Sequence, residues 1–173
     1  YRQGELPQLV AAINRTGYGL THGIQTRIDE TIDLIIGTIR AGNIYVNRNM
    51  IGAVVGVQPF GGEGLSGTGP KAGGPLYLRR LVRATGTTSA PPCTDPVVLP
   101  GPTGESNTLH VRPRERIACV ATAEADLLAQ ARLAAGLGSL AIVPQDAAGE
   151  RVRNALGERC EVGSRLQLVE QAL

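Results

Sequence analysis

The sequence predicts an α/β protein built of two parts, neither complete in itself. Three observations carry this. Residues 117–156 alternate strand, helix, strand, helix, the rhythm of a parallel sheet. Residues 20–47 carry a strand (20–26), a helix (29–40) and a second strand (43–47). Between the halves, residues 84–107 are rich in Thr, Ser, Pro and Gly and read as a linker, with a domain boundary near residue 95.

The elements follow in order. Residues 5–14 predict a short helix, with Pro7 tolerated in the first turn and Asn14 near the end. Gly17-Tyr18-Gly19 is a turn, and residues 20–26 alternate as a strand. Residues 29–40 place Ile32, Ile35, Ile36 and Ile39 at helical spacing. Asp29, Glu30 and Asp33 lie early in that helix and Arg40 closes it, which suits the helix dipole; Gly42 stops it. Residues 43–47 form a strand, and residues 76–83 return to regular structure as a helix passing into a strand. In the second half, residues 117–121 and 140–143 are buried strands, and residues 123–136 and 147–156 are helices. Two βα units are too few to close a sheet with both faces covered, so the second part is expected to be partial.

The intervening stretch from Gly52 to Gly74 holds nine glycines in 23 residues, with Pro59, Pro70 and the only Phe, Phe60. It can be neither a regular helix nor a regular strand. Val54, Val55, Val57 and Phe60 argue against disorder, and a loop this long inside a compact domain is usually functional. Glycines let consecutive N–H groups converge on an anion. Gly52 and Ala53 are small enough to present their amides to a carboxylate, with Phe60 walling the apolar part of the same ligand. A purely structural Gly-rich turn stands beside this as an equal alternative. The loop's charged side chains are only Glu63 and Lys71.

Composition excludes several classes. The chain has 173 residues, 42% hydrophobic and 18% charged, which argues against general disorder. A net charge of +2 is too small to indicate nucleic acid, and 3% aromatics leave no base-stacking platform. Cys93, Cys119 and Cys160 are widely spaced, and His22 and His110 lie far apart, so neither a metal cluster nor a disulfide framework is expected. A reducing compartment is the default. No apolar run approaches the roughly 20 residues that span a bilayer, and no signal peptide is recognised. The chain opens on Tyr1 rather than Met, which suggests a piece of something longer.

Other motifs are weak. Gly62–Gly67 has the letters G-x-G-x-x-G, but Thr68, Gly69 and Pro70 follow where a helix should start, and the nearest downstream Asp is Asp95. Pro70 also occupies the position a P-loop needs for Lys. Arg79, Arg80, Arg83, Arg112, Arg114 and Arg116 read as solvated flanks rather than a basic patch. Cys119 is a buried filler, and Cys93 and Cys160 have no context that would activate them. From the residues alone, the chain holds part of a ligand pocket and no catalytic engine.

Gln58-Pro59-Phe60-Gly61-Gly62-Glu63-Gly64-Leu65-Ser66-Gly67 resembles the C-terminal active-site region of the aldehyde dehydrogenase superfamily. Thr16–Thr21 and Gly42–Arg48 resemble the same family in the same order, so the likeness covers roughly residues 1–85. Asn47–Gly56 is similar to the branch that oxidises glutamate semialdehyde (pyrroline-5-carboxylate). Thr68–Pro75 and Leu99–Glu105 resemble the bacterial family that joins this dehydrogenase to a proline dehydrogenase. Residues after about 107 resemble the start of the extra Rossmann-like domain of its long members.

The resemblance implies an α/β fold: the C-terminal part of an aldehyde dehydrogenase catalytic domain (residues 1–90), a linker (91–107), and a partial Rossmann-like parallel-sheet domain (108–173). It implies a parent that oxidises L-glutamate γ-semialdehyde to L-glutamate with NAD, with FAD in the proline dehydrogenase part. Gly52 and Ala53 match the loop that anchors the substrate's α-carboxylate, and Phe60 matches the aromatic wall. The nucleophilic Cys, the general base and the main NAD-binding elements lie upstream, so this chain alone should be inactive and hold neither cofactor nor metal. The second domain would cover the channel between active sites. The resemblance further implies a cytoplasmic parent, peripheral at the inner membrane. Half a catalytic domain exposes apolar faces, so self-association is expected. The alternative from a different class is a noncatalytic interaction module whose open sheet edges, with a hairpin-like stretch at 76–90, pair with another chain.

Overall fold

A computed structural model describes residues 2, 4–81 and 96–164. Arg83, Cys93, the greater part of the hairpin-like stretch and the first half of the linker lie outside the described residues. The chain divides into two compact units: Tyr1–Thr85 with Leu99–Asn107, and Gly86–Val98 with Thr108–Leu173.

The first unit begins with α1 (Leu6–Arg15), whose Pro sits in the first turn and whose Arg15 lies in the last. Thr16 donates its hydroxyl to the Ile13 carbonyl, and Gly17, at φ 75, turns the chain out of the helix. Strands β1 (Tyr18–Gly19) and β2 (Thr21–Ile24) follow, then α2 (Asp29–Thr38) and β3 (Asn43–Val46). β2 and β3 run parallel, with Thr21 opposite Asn43 and Ile24 opposite Val46, so α2 is the crossover of a βαβ unit. Val10, Ile24, Ile35 and Ile39 are buried together, with Ile13, Ile32, Ile36 and Ile44 packed around them. The isoleucine spacing of α2 therefore does what it predicts.

The end of α2 differs from expectation. The helix stops at Thr38, and Arg40 is not in its last turn. Asn14, at the end of α1, donates its amide to the Thr38 carbonyl at 2.8 Å and accepts the Arg40 N–H at 2.9 Å. One side chain from another element captures the chain there and sends Ile39 off at ψ 138.

Beyond β3, β4 (Glu63–Gly64) pairs antiparallel with β1. Residues 76–83 are expected as a helix passing into a strand; of these, 76–81 are described and make a 3-10 turn at Leu78–Arg80, while 82–83 lie outside the described residues. Leu78 and Leu81 are exposed, so no packing stabilises a longer helix. Part of the expected linker is structured: β5 (Val97–Leu99) and β6 (Asn107–Leu109) pair as a two-stranded sheet.

The second unit contains β7 (Arg116–Ala118), α3 (Glu124–Gly136), β8 (Leu140–Pro144), α4 (Ala147–Leu156) and β9 (Cys160–Gly163). The strands form a parallel sheet in the order β7-β8-β9. Leu127, Ala131 and Ala134 of α3 and Val152 of α4 close over Cys119, Ala141, Val143 and Cys160 in one core. Asp146 caps α4 by accepting the Gly149 N–H at 2.8 Å. Glycine is required at 149, where a Cβ would lie 1.8 Å from the Pro144 carbonyl oxygen. Cys119 and Cys160 are buried, and burial pushes both thiols up, in keeping with filler rather than nucleophile. The mixed helix and parallel-strand architecture is that of an α/β protein, as the sequence predicts.

Candidate functional site

The site is built from the Gly-rich segment of residues 52–74 and the start of β3. Its base is held by the main chain. Phe60 and Ala72 exchange both backbone hydrogen bonds, at 3.0 and 2.8 Å. Leu65 N–H donates to Gly17 at 2.9 Å, and Gly19 N–H donates to the Ser66 hydroxyl at 3.2 Å.

Asn43, the first residue of β3, grips the segment on either side of Phe60. Its amide donates to the Pro59 carbonyl at 2.9 Å, and its oxygen accepts the Gly61 N–H at 3.2 Å. Lys71 completes the arrangement. Its ammonium donates to the carbonyls of Gly42 and Gly61, the latter at 2.7 Å, and to Asn43 Oδ1 at 3.3 Å. Three donors meet three acceptors, so the half-buried cation is satisfied without a carboxylate in contact. Burial lowers its pKa below the ordinary lysine value, and the charge of Glu63 opposes that shift. Such close approach needs bare backbone: a Cβ at Gly42 would fall 1.7 Å from the Gly61 oxygen.

The tip of the segment is organised differently. Ile51 N–H donates to Asn49 Oδ1 at 3.3 Å and Val54 N–H to Gln58 Oε1 at 3.0 Å. Between them, the amides of Gly52 and Ala53 donate to nothing among the described residues. Of the nine glycines from 52 to 74, Gly52 is the one with both ordinary φ and open space where a Cβ would stand. The others either hold positive φ or would press a Cβ to within 3.3 Å of a neighbour. The fold therefore explains eight of these glycines and leaves Gly52 unexplained. Ile51 and Val55 beside it are 91% and 98% exposed.

Arg48 and Glu105 brace this tip from below. Arg48 pairs with Glu105 at 3.1 Å and lies 5.1 Å over the Tyr45 ring. Gln58 donates to Asn107 at 3.1 Å and approaches Glu105 at 3.5 Å.

The structure thus brings Phe60, Asn43 and Lys71 together at the base and leaves Gly52 and Ala53 at the tip of the same segment. Lys71 was expected only as a loop charge. A signal existed: it is the single lysine among 17 basic residues, the rest being Arg. A compact ammonium can serve three converging oxygens, which a planar guanidinium fits poorly. Gly62–Gly67 passes from β4 into a turn with no helix behind it, so it offers no helix N-terminus to a dinucleotide. Arg116 is paired with Glu161 at 3.1 Å.

Comparison with known proteins bears on this segment directly. The aldehyde dehydrogenase family profile matches residues 2–85. The chain is 42% identical to the bifunctional protein PutA of Escherichia coli K12 over 98% of its own length and 16% of that protein's. It is 41% identical to the 1-pyrroline-5-carboxylate dehydrogenase of Bacillus subtilis 168 over 50% of its length and 17% of that enzyme's. The solved structure of PutA from Corynebacterium freiburgense superposes with a TM-score of 0.58 at 25% identity, over 92% of this chain and 22% of that one. The chain spans about a sixth of the length of the curated relatives it matches. Among the described residues no helix is long and apolar enough to cross a membrane.

Proposed function

We propose, from the match of residues 2–85 to the aldehyde dehydrogenase family, that this chain is a C-terminal part of a proline-catabolic enzyme that oxidises L-glutamate γ-semialdehyde to L-glutamate with NAD. The names of its relatives, a bifunctional PutA and a 1-pyrroline-5-carboxylate dehydrogenase, support the substrate class. Within this reading the chain supplies the substrate-anchoring loop.

The observation that carries the proposal is the state of Gly52 and Ala53. Two neighbouring amides without partners among the described residues, beside a glycine the fold does not demand, form a place for an anion. The substrate's α-carboxylate is that anion, and Phe60 flanks its carbon chain. Binding through main-chain N–H groups keeps the site selective for a carboxylate without a lysine or arginine in contact.

The oxidation itself needs a thiolate nucleophile and a nicotinamide. Cys119 and Cys160 are buried with raised thiol pKa, and residues 62–67 do not fit a pyrophosphate. Cys93 lies outside the described residues. In the proposed reading, which here follows the family resemblance, both functions belong to other parts of the enzyme and the isolated chain is inactive. The second domain, residues 108–173, acts as the noncatalytic cover of the channel that carries the intermediate; deleting it from the whole enzyme should release intermediate to a trapping reagent. The isolated chain self-associates through the apolar surface at Ile51, Val54 and Val55, which light scattering would register as a mass above 18.1 kDa.

The deciding experiment is a crystal structure of the whole enzyme with L-glutamate. The product carboxylate should accept hydrogen bonds from the amides of residues 52 and 53. A carboxylate bound elsewhere overturns the assignment.

A further inference from the structure

Lys71 sits at the base of the Gly-rich segment, and nothing in the proposed reaction uses it. Phe60 lies in a short run whose neighbouring polar atoms are tied down on both sides. Its own N–H and carbonyl pair with Ala72, one residue from Lys71. The Pro59 carbonyl takes the Asn43 amide, the Gly61 N–H is held by Asn43 Oδ1, and the Gly61 carbonyl is held by Lys71 Nζ. Lys71 in turn holds Asn43 and the Gly42 carbonyl.

We propose that Lys71 and Asn43 are a positioning pair for Phe60: the ammonium ties the 42–43 step to the 61 carbonyl, and so fixes where the Phe60 ring stands. The catalytic meaning of this rests on the reading of Phe60 as the substrate's wall; the clamp itself does not. An ammonium suits the task because its three N–H bonds diverge tetrahedrally onto three oxygens that no acid side chain accompanies. Removing it leaves two carbonyls and an amide oxygen converging with no cation among them, which pushes the loop open. A guanidinium is larger and presents its N–H groups in one plane, so it does not meet three oxygens that converge from different directions.

Phe60 is the only phenylalanine and Lys71 the only lysine. Fluorinated phenylalanine incorporated into the full 173-residue chain therefore gives one 19F line, from Phe60. That line should be single and narrow in the wild type, and should split, broaden or move toward the value of free phenylalanine in Lys71→Met and in Asn43→Ala. Lys71→Arg should resemble Lys71→Met. The amide fingerprint of the rest of the chain serves as the control. An unchanged line in Lys71→Met overturns the proposal. Collapse of the whole fingerprint in both variants overturns it too, because the pair would then be a scaffold for the fold. In the whole enzyme, Lys71→Met should raise KM for the semialdehyde about tenfold with a smaller change in kcat. A moved fluorine line with unchanged kinetics leaves the clamp standing and removes Phe60 from the substrate site.

Discussion

Arg48 and Glu105 lie 57 positions apart in sequence yet form an ion pair at 3.1 Å, with roughly a third or less of either side chain exposed. Glu105 also approaches Gln58, whose carbonyl oxygen takes the Val54 N–H. The Pro-Gly-rich stretch before residue 107 thus acts on the tip of the proposed anchoring loop. Partly exposed pairs contribute little to global stability, so Glu105→Ala should lower it by only about 0.5 kcal/mol. Amide hydrogen exchange at Val54 should nevertheless quicken, because Gln58 loses a support. Unchanged exchange at Val54 would show that Glu105 does not reach the loop.

Gly52→Ala separates ligand binding from folding. Its φ is ordinary and a Cβ there meets nothing within 4 Å, so stability should change by less than about 0.5 kcal/mol. In the whole enzyme, the same methyl stands where the carboxylate would approach the backbone, and KM for the semialdehyde should rise about tenfold or more. A variant with native kinetics removes Gly52 from the substrate site.

Leu127 is 1% exposed and packs in the core of the second unit. Leu127→Ala should cost about 3 kcal/mol, from lost burial and the cavity left behind. Leu127→Met, which keeps the volume, should cost less than about 1.5 kcal/mol. Urea denaturation followed by circular dichroism measures both.

His22, on β2, has its pKa lowered by burial. Its neutral form is therefore favoured in the folded chain. Above its ordinary value of 6.5 both folded and unfolded chains carry it neutral, and the contribution is fully present. As pH falls from 6.5 toward the lower folded value, the unfolded chain binds the proton first and stability declines. His22→Gln should flatten this part of the stability profile. An identical profile in the variant assigns the acid sensitivity to other groups.

Local pattern made much of the fold legible. The isoleucines of α2, the Ala and Leu run of α3 and the short apolar run of β8 each declare their element, because each buries one face against its neighbours. β9 was not expected. Cys160-Glu161-Val162-Gly163 alternates too briefly to stand out, and its strand character comes from pairing with β8. The described part of the 76–83 stretch differs for the opposite reason: Leu78 and Leu81 remain in solvent, and propensity alone does not hold a helix. At the candidate site, composition pointed to the loop, and its glycine chemistry together with the resemblance pointed to Gly52, Ala53 and Phe60. The role of Lys71 was hidden because two of its three partners are main-chain oxygens, which carry no letter in the sequence.

One further property follows from the solitary lysine. A protease that cuts only after lysine has a single target in this chain, the Lys71–Ala72 bond, and Ala72 is paired on both sides with Phe60. Cleavage must wait until that pairing lets go. The rate of one cut, read on a gel as two bands, therefore clocks how often the Gly-rich segment comes undone while the helices and sheets around it stay folded.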